Sequence, residues 1–137
     1  MFQSAPHLIP RELNWIYLEQ GVATVEGFKV FGCPWSLPVW GVFQRNELEL
    51  KVKYAQIPED TDILISHGPP FGILDKVLEG DNVGSKELLA RVSELKKLKL
   101  VVFGHIHESS GIDGMFVNAA VVNRRCIPAS YPKVIDL

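Results

Sequence analysis

The stretch Ile63-Leu64-Ile65-Ser66-His67-Gly68-Pro69-Pro70 decides the fold of this chain. It begins with three apolar residues, two of them β-branched, in the manner of a strand buried on both faces, and the prolines must end that strand. A second strand of the same kind runs from Leu100 to Phe103. Between the two, residues 85–98 have the apolar spacing of a helix that Ser85 can cap. Strand, helix and strand therefore predict a parallel crossover unit in an α/β domain.

Further elements are expected on both sides of this unit. Residues 23–26 and 28–31 predict two short strands around a glycine turn, and residues 115–122 and 132–135 predict two more strands. The segment 46–55 fits both the period-two spacing of a strand and the stripe of a helix. Periodicity alone leaves this segment undecided.

Length and composition predict one globular domain in a reducing compartment. The chain has 137 residues, 47% of them hydrophobic and 22% charged, which excludes intrinsic disorder. A net charge of −2 shows no basic excess, so no nucleic acid or anionic membrane is expected as a partner. No run approaches the roughly 20 apolar residues of a membrane span, and the first residues lack the pattern of a secretion signal. Cys33 and Cys126 are expected to be reduced thiols of a cytoplasmic protein.

Three of the four histidines directly follow the two buried-type strands. They are His67, His105 and His107. In open α/β sheets, ligands bind in the crevice outside the carboxyl ends of the strands, so these imidazoles are expected to converge there. Gly68 and Gly104 are expected to let the backbone turn sharply beside them. Because imidazole is the commonest protein ligand for metals near neutral pH, the pattern predicts a metal site.

The chain also carries several longer motifs, and their order resembles that of a known family. They are Gly27-Phe28-Lys29-Val30-Phe31-Gly32-Cys33-Pro34-Trp35, Ile63 to Pro70, Val102-Phe103-Gly104-His105-Ile106-His107-Glu108, Phe116-Val117-Asn118-Ala119-Ala120 and Val134-Ile135-Asp136-Leu137. Together they resemble the C-terminal half of a calcineurin-like metallophosphoesterase, in particular the metallophosphoesterase-domain-containing (brain-protein-239-like) branch. The resemblance implies part of a two-sheet sandwich flanked by helices over residues 14–137, after a loose N-terminal arm at 1–13. It also favours a helix over residues 46–55.

The resemblance assigns roles to individual residues. His67 and His105 would ligate the second metal of a dinuclear site and His107 the first, with manganese, iron or zinc as the ions. The family attacks a phosphodiester with a hydroxide held by its metals. Independently of the resemblance, Glu108 follows His107 directly and is a candidate to hydrogen-bond an imidazole from outside the ligand shell. Asn118 matches an asparagine of a late strand in the family, where its role is interpreted as structural.

Three blocks of the family are not found in this chain: Asp-x-His, Gly-Asp upstream of the histidine strand, and Gly-Asn-His. The pair Gly80-Asp81 stands in the wrong order and is interpreted as a surface turn. Two divalent ions side by side repel each other, and three neutral imidazoles cannot offset that repulsion. We therefore expect a site with one metal or none in this chain alone and no assignable catalytic residue. Because half of a sandwich would leave apolar sheet surface and open edges, we also expect a homo-oligomer or another chain that supplies the missing half.

Three functions remain open at this point. The first is a metal-dependent phosphoesterase that is incomplete as this chain alone and acts on a phosphoester substrate. The second is a non-catalytic remnant that serves as a binding or regulatory module. The third is a mononuclear site in which three histidines and a water hold one ion.

The remaining conspicuous residues receive structural interpretations. Trp15, Trp35 and Trp40 are expected to anchor the core or its loops, and residues 109–111 to form a plain turn. Arg124-Arg125 is expected to be a solvated pair in a turn that touches phosphate only if it lies near the crevice.

Overall fold

The computed structural model describes residues 15–38 and 43–137. The predicted arm at 1–13 and Trp40 lie outside these ranges, so both remain predictions. No helix in the described part of the chain is long and apolar enough to cross a membrane.

One mixed six-stranded sheet forms the centre of the described structure, and two helices accompany it. The elements are β1 (Gly21–Val25), β2 (Phe28–Cys33), α1 (Glu47–Tyr54), β3 (Ile63–Ser66), α2 (Lys86–Glu94), β4 (Leu100–Phe103), β5 (Gly111–Asp113) and β6 (Phe116–Asn118). The strand order is β1-β2-β3-β4-β6-β5. The four central strands are parallel, while β1 and β5 pair antiparallel at the edges. The α/β class is confirmed, and the described residues contribute one sheet of the expected sandwich.

The predicted crossover unit is present between β3 and β4. The two strands pair in parallel, and α2 connects them. Ser85 caps α2 as predicted, because its hydroxyl accepts a hydrogen bond from the Leu88 amide at 3.2 Å. The helix ends at Glu94, short of the predicted Leu98, although Leu98 is still buried in a turn that follows it.

The segment with ambiguous periodicity is a helix, as the family resemblance suggested. A capping box begins it: the Glu49 amide donates to the Asn46 side chain at 3.0 Å, and the Asn46 amide donates to the Glu49 carboxylate at 3.2 Å. Leu50 and Tyr54 are almost completely buried, whereas Leu48 and Val52 face solvent. The exposed pair produced the misleading alternation.

Glu47, in the first turn of α1, also ties the two helices together. Its carboxylate accepts hydrogen bonds from the Ser85 hydroxyl at 2.7 Å and from the Lys86 amide at 2.8 Å. A carboxylate is favourable at this place, since the first amides of a helix lack partners within the helix and carry partial positive charge.

The main core lies between the two helices and one face of the sheet, which we call the helix-covered face. Its strand residues alternate with those of the opposite, second face. On the second face, one row of neighbours crosses the sheet: Ile65 lies beside Val102, Val102 beside Val117, and Val117 beside Ile112 at the sheet edge. The main core consists of Phe31, Cys33, Trp35, Leu50, Tyr54, Ile57, Leu64, Leu88, Val92, Leu95, Leu98, Val101 and Phe103.

Three sequence-based expectations are wrong. Residues 132–135 form no strand, because the tail runs on without pairing to the sheet. The predicted plain turn at 109–111 instead leads into β5, which pairs with β6. Trp15 is 71% exposed and is not part of the core formed by the described residues, whereas Trp35 is 8% exposed and does belong to that core.

Candidate metal centre

Two of the three predicted ligands lie side by side at the carboxyl edge of the sheet. His67 directly follows β3, and His105 follows the neighbouring parallel strand β4 after one residue. Their ring centroids are 4.7 Å apart with an interplanar angle of 50°. The Gly104 amide donates to the His67 carbonyl at 3.1 Å and extends the pairing of the two strands to this point. Parallel pairing thus brings together imidazoles that are 38 residues apart in the sequence.

His105 presents a ring nitrogen with no partner in the described residues. Its Nε2 atom is buried and makes no hydrogen bond there. Leaving a buried polar atom unpaired is costly, unless a ligand takes its place. Burial lowers the pKa of both His67 and His105, and the neighbouring imidazoles lower the pKa of His105 further. Both rings are therefore neutral near pH 7 and keep a lone pair, so this pair fits a divalent cation.

The sharp backbone turn at the site lies at His105 itself. Its φ angle is 69°, in the left-handed region, whereas Gly68 and Gly104 are not among the residues of positive φ. The backbone does bend at Gly68, but neither glycine adopts a φ angle that other residues avoid, so the role of Gly68 and Gly104 in the turn stays a prediction. Gly68 also permits a close approach, since a Cβ atom there would lie 3.3 Å from the Cβ of Ser36.

His107 is oriented by a backbone contact. It begins a 3-10 turn at His107–Ser109, and its Nδ1 atom lies 2.9 Å from the carbonyl oxygen of Asn123. Because a carbonyl only accepts, Nδ1 carries the proton and Nε2 keeps the lone pair. Histidines that bind metals are commonly held in this way by a second partner. Sequence reasoning missed Asn123, since only the folded chain brings it to His107.

Asn118 holds the loop that carries two of the histidines. It is fully buried, and its side-chain amide donates to the carbonyl of Ile106 at 2.8 Å and to that of Leu74 at 3.1 Å. Its side-chain oxygen accepts from the Ala120 amide at 3.1 Å. Ile106 stands between His105 and His107, so one buried side chain fixes the backbone between them. This supports the structural role interpreted from the sequence.

Glu108 has a different partner from the one expected. Within the described ranges its carboxylate makes no hydrogen bond to an imidazole, and it lies 3.8 Å from the guanidinium of Arg124. The same guanidinium lies 3.5 Å from the carboxylate of Glu79. Arg124 thus bridges two carboxylates.

The three histidines do not form a complete site for one ion. Across residues 15–38 and 43–137, no group of three or more His, Cys, Asp or Glu side chains is arranged to hold a metal. This geometry does not support the alternative of a mononuclear three-histidine site. The buried carboxylate of Asp75 is already used, because it accepts from the amides of Gly72 at 2.9 Å and Gly84 at 2.8 Å.

A mixed sheet with parallel central strands and two adjacent histidines at their carboxyl edge, together with the ordered motifs, is consistent with part of a metallophosphoesterase-type domain. The human protein named metallophosphoesterase domain-containing protein 1 is 44% identical over 131 residues, which is 90% of this chain and 40% of the relative. Two nematode proteins from Caenorhabditis elegans, UPF0046 protein T07D4.2 and UPF0046 protein C25E10.12, are 35% and 32% identical over 90% of this chain, which covers 33% and 47% of their lengths. No family model matches.

These similarities confirm the predicted family: the chain belongs to the metallophosphoesterase-domain-containing branch. It spans less than half the length of the curated relatives described above.

Proposed function

We propose that this chain contributes imidazole ligands to the site of a metal-dependent phosphoesterase. The observation that carries the proposal is the His67–His105 pair, in which two rings lie 4.7 Å apart and the Nε2 atom of His105 is buried without a partner in the described structure. His107 is proposed as a ligand of the other ion of a dinuclear site, since in the neutral ring its Nδ1 contact leaves Nε2 available. A bound divalent ion would supply Lewis-acid chemistry, with a nucleophile near neutral pH and charge stabilisation on phosphate oxygens.

The residues of this chain have two tasks in the proposal. Burial keeps His67 and His105 neutral, so that they can bind a cation without first losing a proton. Asn118 and the Asn123 carbonyl hold the loop and the ring of His107 in place. Preorganised ligands avoid the cost of ordering them when the ion binds.

Anionic ligands are proposed to come from another polypeptide, one that carries the three blocks absent from this sequence. No aspartate or glutamate joins the imidazole pair in the part of the chain that the structure describes. Two adjacent divalent ions need negative ligands to offset their repulsion, which neutral rings cannot do. The proposed complete site therefore hydrolyses phosphodiesters only when those ligands are supplied.

Metal binding is the first test. The chain is stripped with a chelator and titrated with Zn²⁺ and Mn²⁺ by calorimetry, with elemental analysis of the recovered protein. We expect His105→Ala to weaken binding by more than about tenfold, the loss that removal of even an outer partner of a metal ligand causes. His7→Ala is the matched control, because His7 is the one histidine outside the strand-end motifs. Equal binding by wild type and His105→Ala would contradict the proposal.

Turnover is the second test. An aryl phosphodiester is incubated with the chain and metal, with and without a polypeptide that carries Asp-x-His, Gly-Asp and Gly-Asn-His motifs. We expect hydrolysis only in the mixture, and loss of hydrolysis with His105→Ala. Turnover by the chain alone would overturn the need for further ligands, and inactivity of a mixture that demonstrably forms a complex would favour the binding or regulatory alternative.

A further inference from the structure

A cleft of about 450 Å³ lies next to the candidate metal centre. His107 forms part of its lining, so the cleft and the site share a side chain. The rest of the lining includes Leu78, in the loop between β3 and α2, and most residues of the segment 122–130, which follows β6. This volume is within the range of small-molecule sites.

Hydrogen bonds fix the shape of the wall formed by residues 122–130. The side-chain oxygen of Asn123 accepts from the amide of Arg125 at 2.9 Å and from that of Ile127 at 3.2 Å. Val122 and Pro128 form a bridge that closes the base of this loop. Asn123 also contacts His107 through its carbonyl, so the wall is attached to the candidate ligand.

Large apolar side chains in this cleft are exposed to water. Leu78 is 72% exposed and Ile127 is 52% exposed, and both line the same cavity together with Val122. Single exposed apolar residues are ordinary, but apolar residues gathered on the walls of one concave site favour an apolar ligand.

The charges of the cleft favour an anion. Arg124 lies near the carboxylates of both Glu79 and Glu108, which offset its charge. Arg125 also lines the cleft, and no carboxylate of the described residues lies within ion-pair distance of it. A guanidinium with uncommitted donors pairs strongly with phosphate, sulfonate or carboxylate groups.

We propose that this cleft binds the organic part of a phosphoester, one whose apolar body carries a second anionic group that pairs with Arg125. The inference deepens the proposed function and rests on it, since the phosphoester group itself would lie at the histidines. It narrows the substrate class: small esters without an apolar body, and esters whose organic part is uncharged, would bind more weakly.

The test measures binding without metal, so it is independent of the metal centre. The 137-residue chain is titrated in EDTA with 1-naphthyl phosphate, which joins an apolar ring to one anion, while 1-naphthol and inorganic phosphate report each part alone. We expect 1-naphthyl phosphate to bind at least about tenfold more tightly than either, because only it uses both the walls and Arg125. We expect Arg125→Gln to weaken it by about tenfold and Arg125→Lys by less.

Ile127→Asp should also weaken the binding of 1-naphthyl phosphate, because it places a carboxylate on the apolar wall. Lys97→Gln is the control: it removes an exposed charge away from the cleft and should have no effect on binding. Far-ultraviolet circular dichroism checks that each variant is folded. Unchanged binding by Arg125→Gln, or equal losses in Arg125→Gln and Lys97→Gln, would overturn the proposal. Binding that appears only after metal is added would reject the cleft and leave the metal centre standing.

Discussion

Both faces of the sheet carry apolar residues, but they differ in how completely those residues are covered. Leu64 and Ile65 are consecutive in β3, yet Leu64 has no exposed surface and Ile65 is 44% exposed. Both helices pack on the side of Leu64. Because burial of apolar surface is the main favourable term in folding, we infer that most stabilisation by the sheet comes from one face.

The contrast also shows what an apolar strand predicts and what it does not. A continuous apolar run indicates a strand that packs on both faces. It does not say whether the cover comes from the same segment of chain. On the second face, Ile112 is 53% exposed although its neighbour Val117 is almost completely buried, so cover there is uneven.

The largest expected effect on stability comes from truncating Leu64, the buried one of the two neighbouring residues in β3. Leu64→Ala should lower the free energy of unfolding by about 3 kcal/mol, through lost burial and the cavity left behind. Ile65→Ala, one residue along, should cost less than about 1 kcal/mol because much of its side chain is already in water. Urea unfolding of both variants measures the difference. Equal losses would show that the second face is as well covered as the first.

A second test removes the side chain of Asn118, the buried polar residue at the end of β6. Asn118→Ala should lower the free energy of unfolding by about 2 kcal/mol, because the carbonyl of Ile106 and the amide of Ala120 lose a buried partner. Asn118→Asp keeps an acceptor for Ala120 and loses the two donated bonds. A thermal unfolding series that ranks Asn118→Ala as neutral would contradict the role given to this side chain.

Loss of the cap at the start of α2 should have a smaller effect on the free energy of unfolding. Ser85→Ala should cost about 1 kcal/mol, the usual value for losing a helix cap. Ser93 lies on the exposed side of the same helix and bonds only the Leu89 carbonyl, so Ser93→Ala should be close to neutral. The same urea titration separates the two serines, and a larger loss for Ser93→Ala would count against the capping assignment.

The effect that is smallest at neutral pH is that of Cys33, because its contribution to the pH dependence of stability develops only in alkaline solution. Burial raises the pKa of the Cys33 thiol from 9.0 to about 11. The raised value means that its contribution to stability is complete below pH 9 and is lost as the pH rises towards 11. Unfolding measured at several alkaline values should fall less steeply in Cys33→Ala than in wild type. Cys126 is exposed, so Cys126→Ser should leave the slope unchanged, and an equal change in both variants would refute the prediction.

Local signals in the sequence were sufficient for the crossover unit and the histidine pair. Apolar runs predicted β3 and β4, Ser85 marked the start of α2, and strand pairing alone implies that His67 and His105 meet. Hydrophobic periodicity was not sufficient for the segment 46–55. Its leucine and valine that face solvent complete an alternating pattern typical of a strand. Its capping box, Asn46 with Glu49, was the local signal that favours a helix.

Other features depend on contacts that no short segment specifies. The three residues of β5 form a strand only because β6 is there to pair with them, whereas the β-branched tail at 132–135 has no such partner. The left-handed backbone of His105 and the contact between His107 and Asn123 likewise follow from the packed loops. The metal role of the three histidines remains a prediction.

Glu47 has a consequence for how the molecule opens. A side chain at the start of α1 holds the first amide of α2, so fraying of either helix end removes a partner from the other. Local opening of the two ends should then be coupled, with the amides of Glu49 and Lys86 exchanging hydrogen at similar rates. The two helix starts, which are 39 residues apart in sequence, would then open together and exchange hydrogen as one unit.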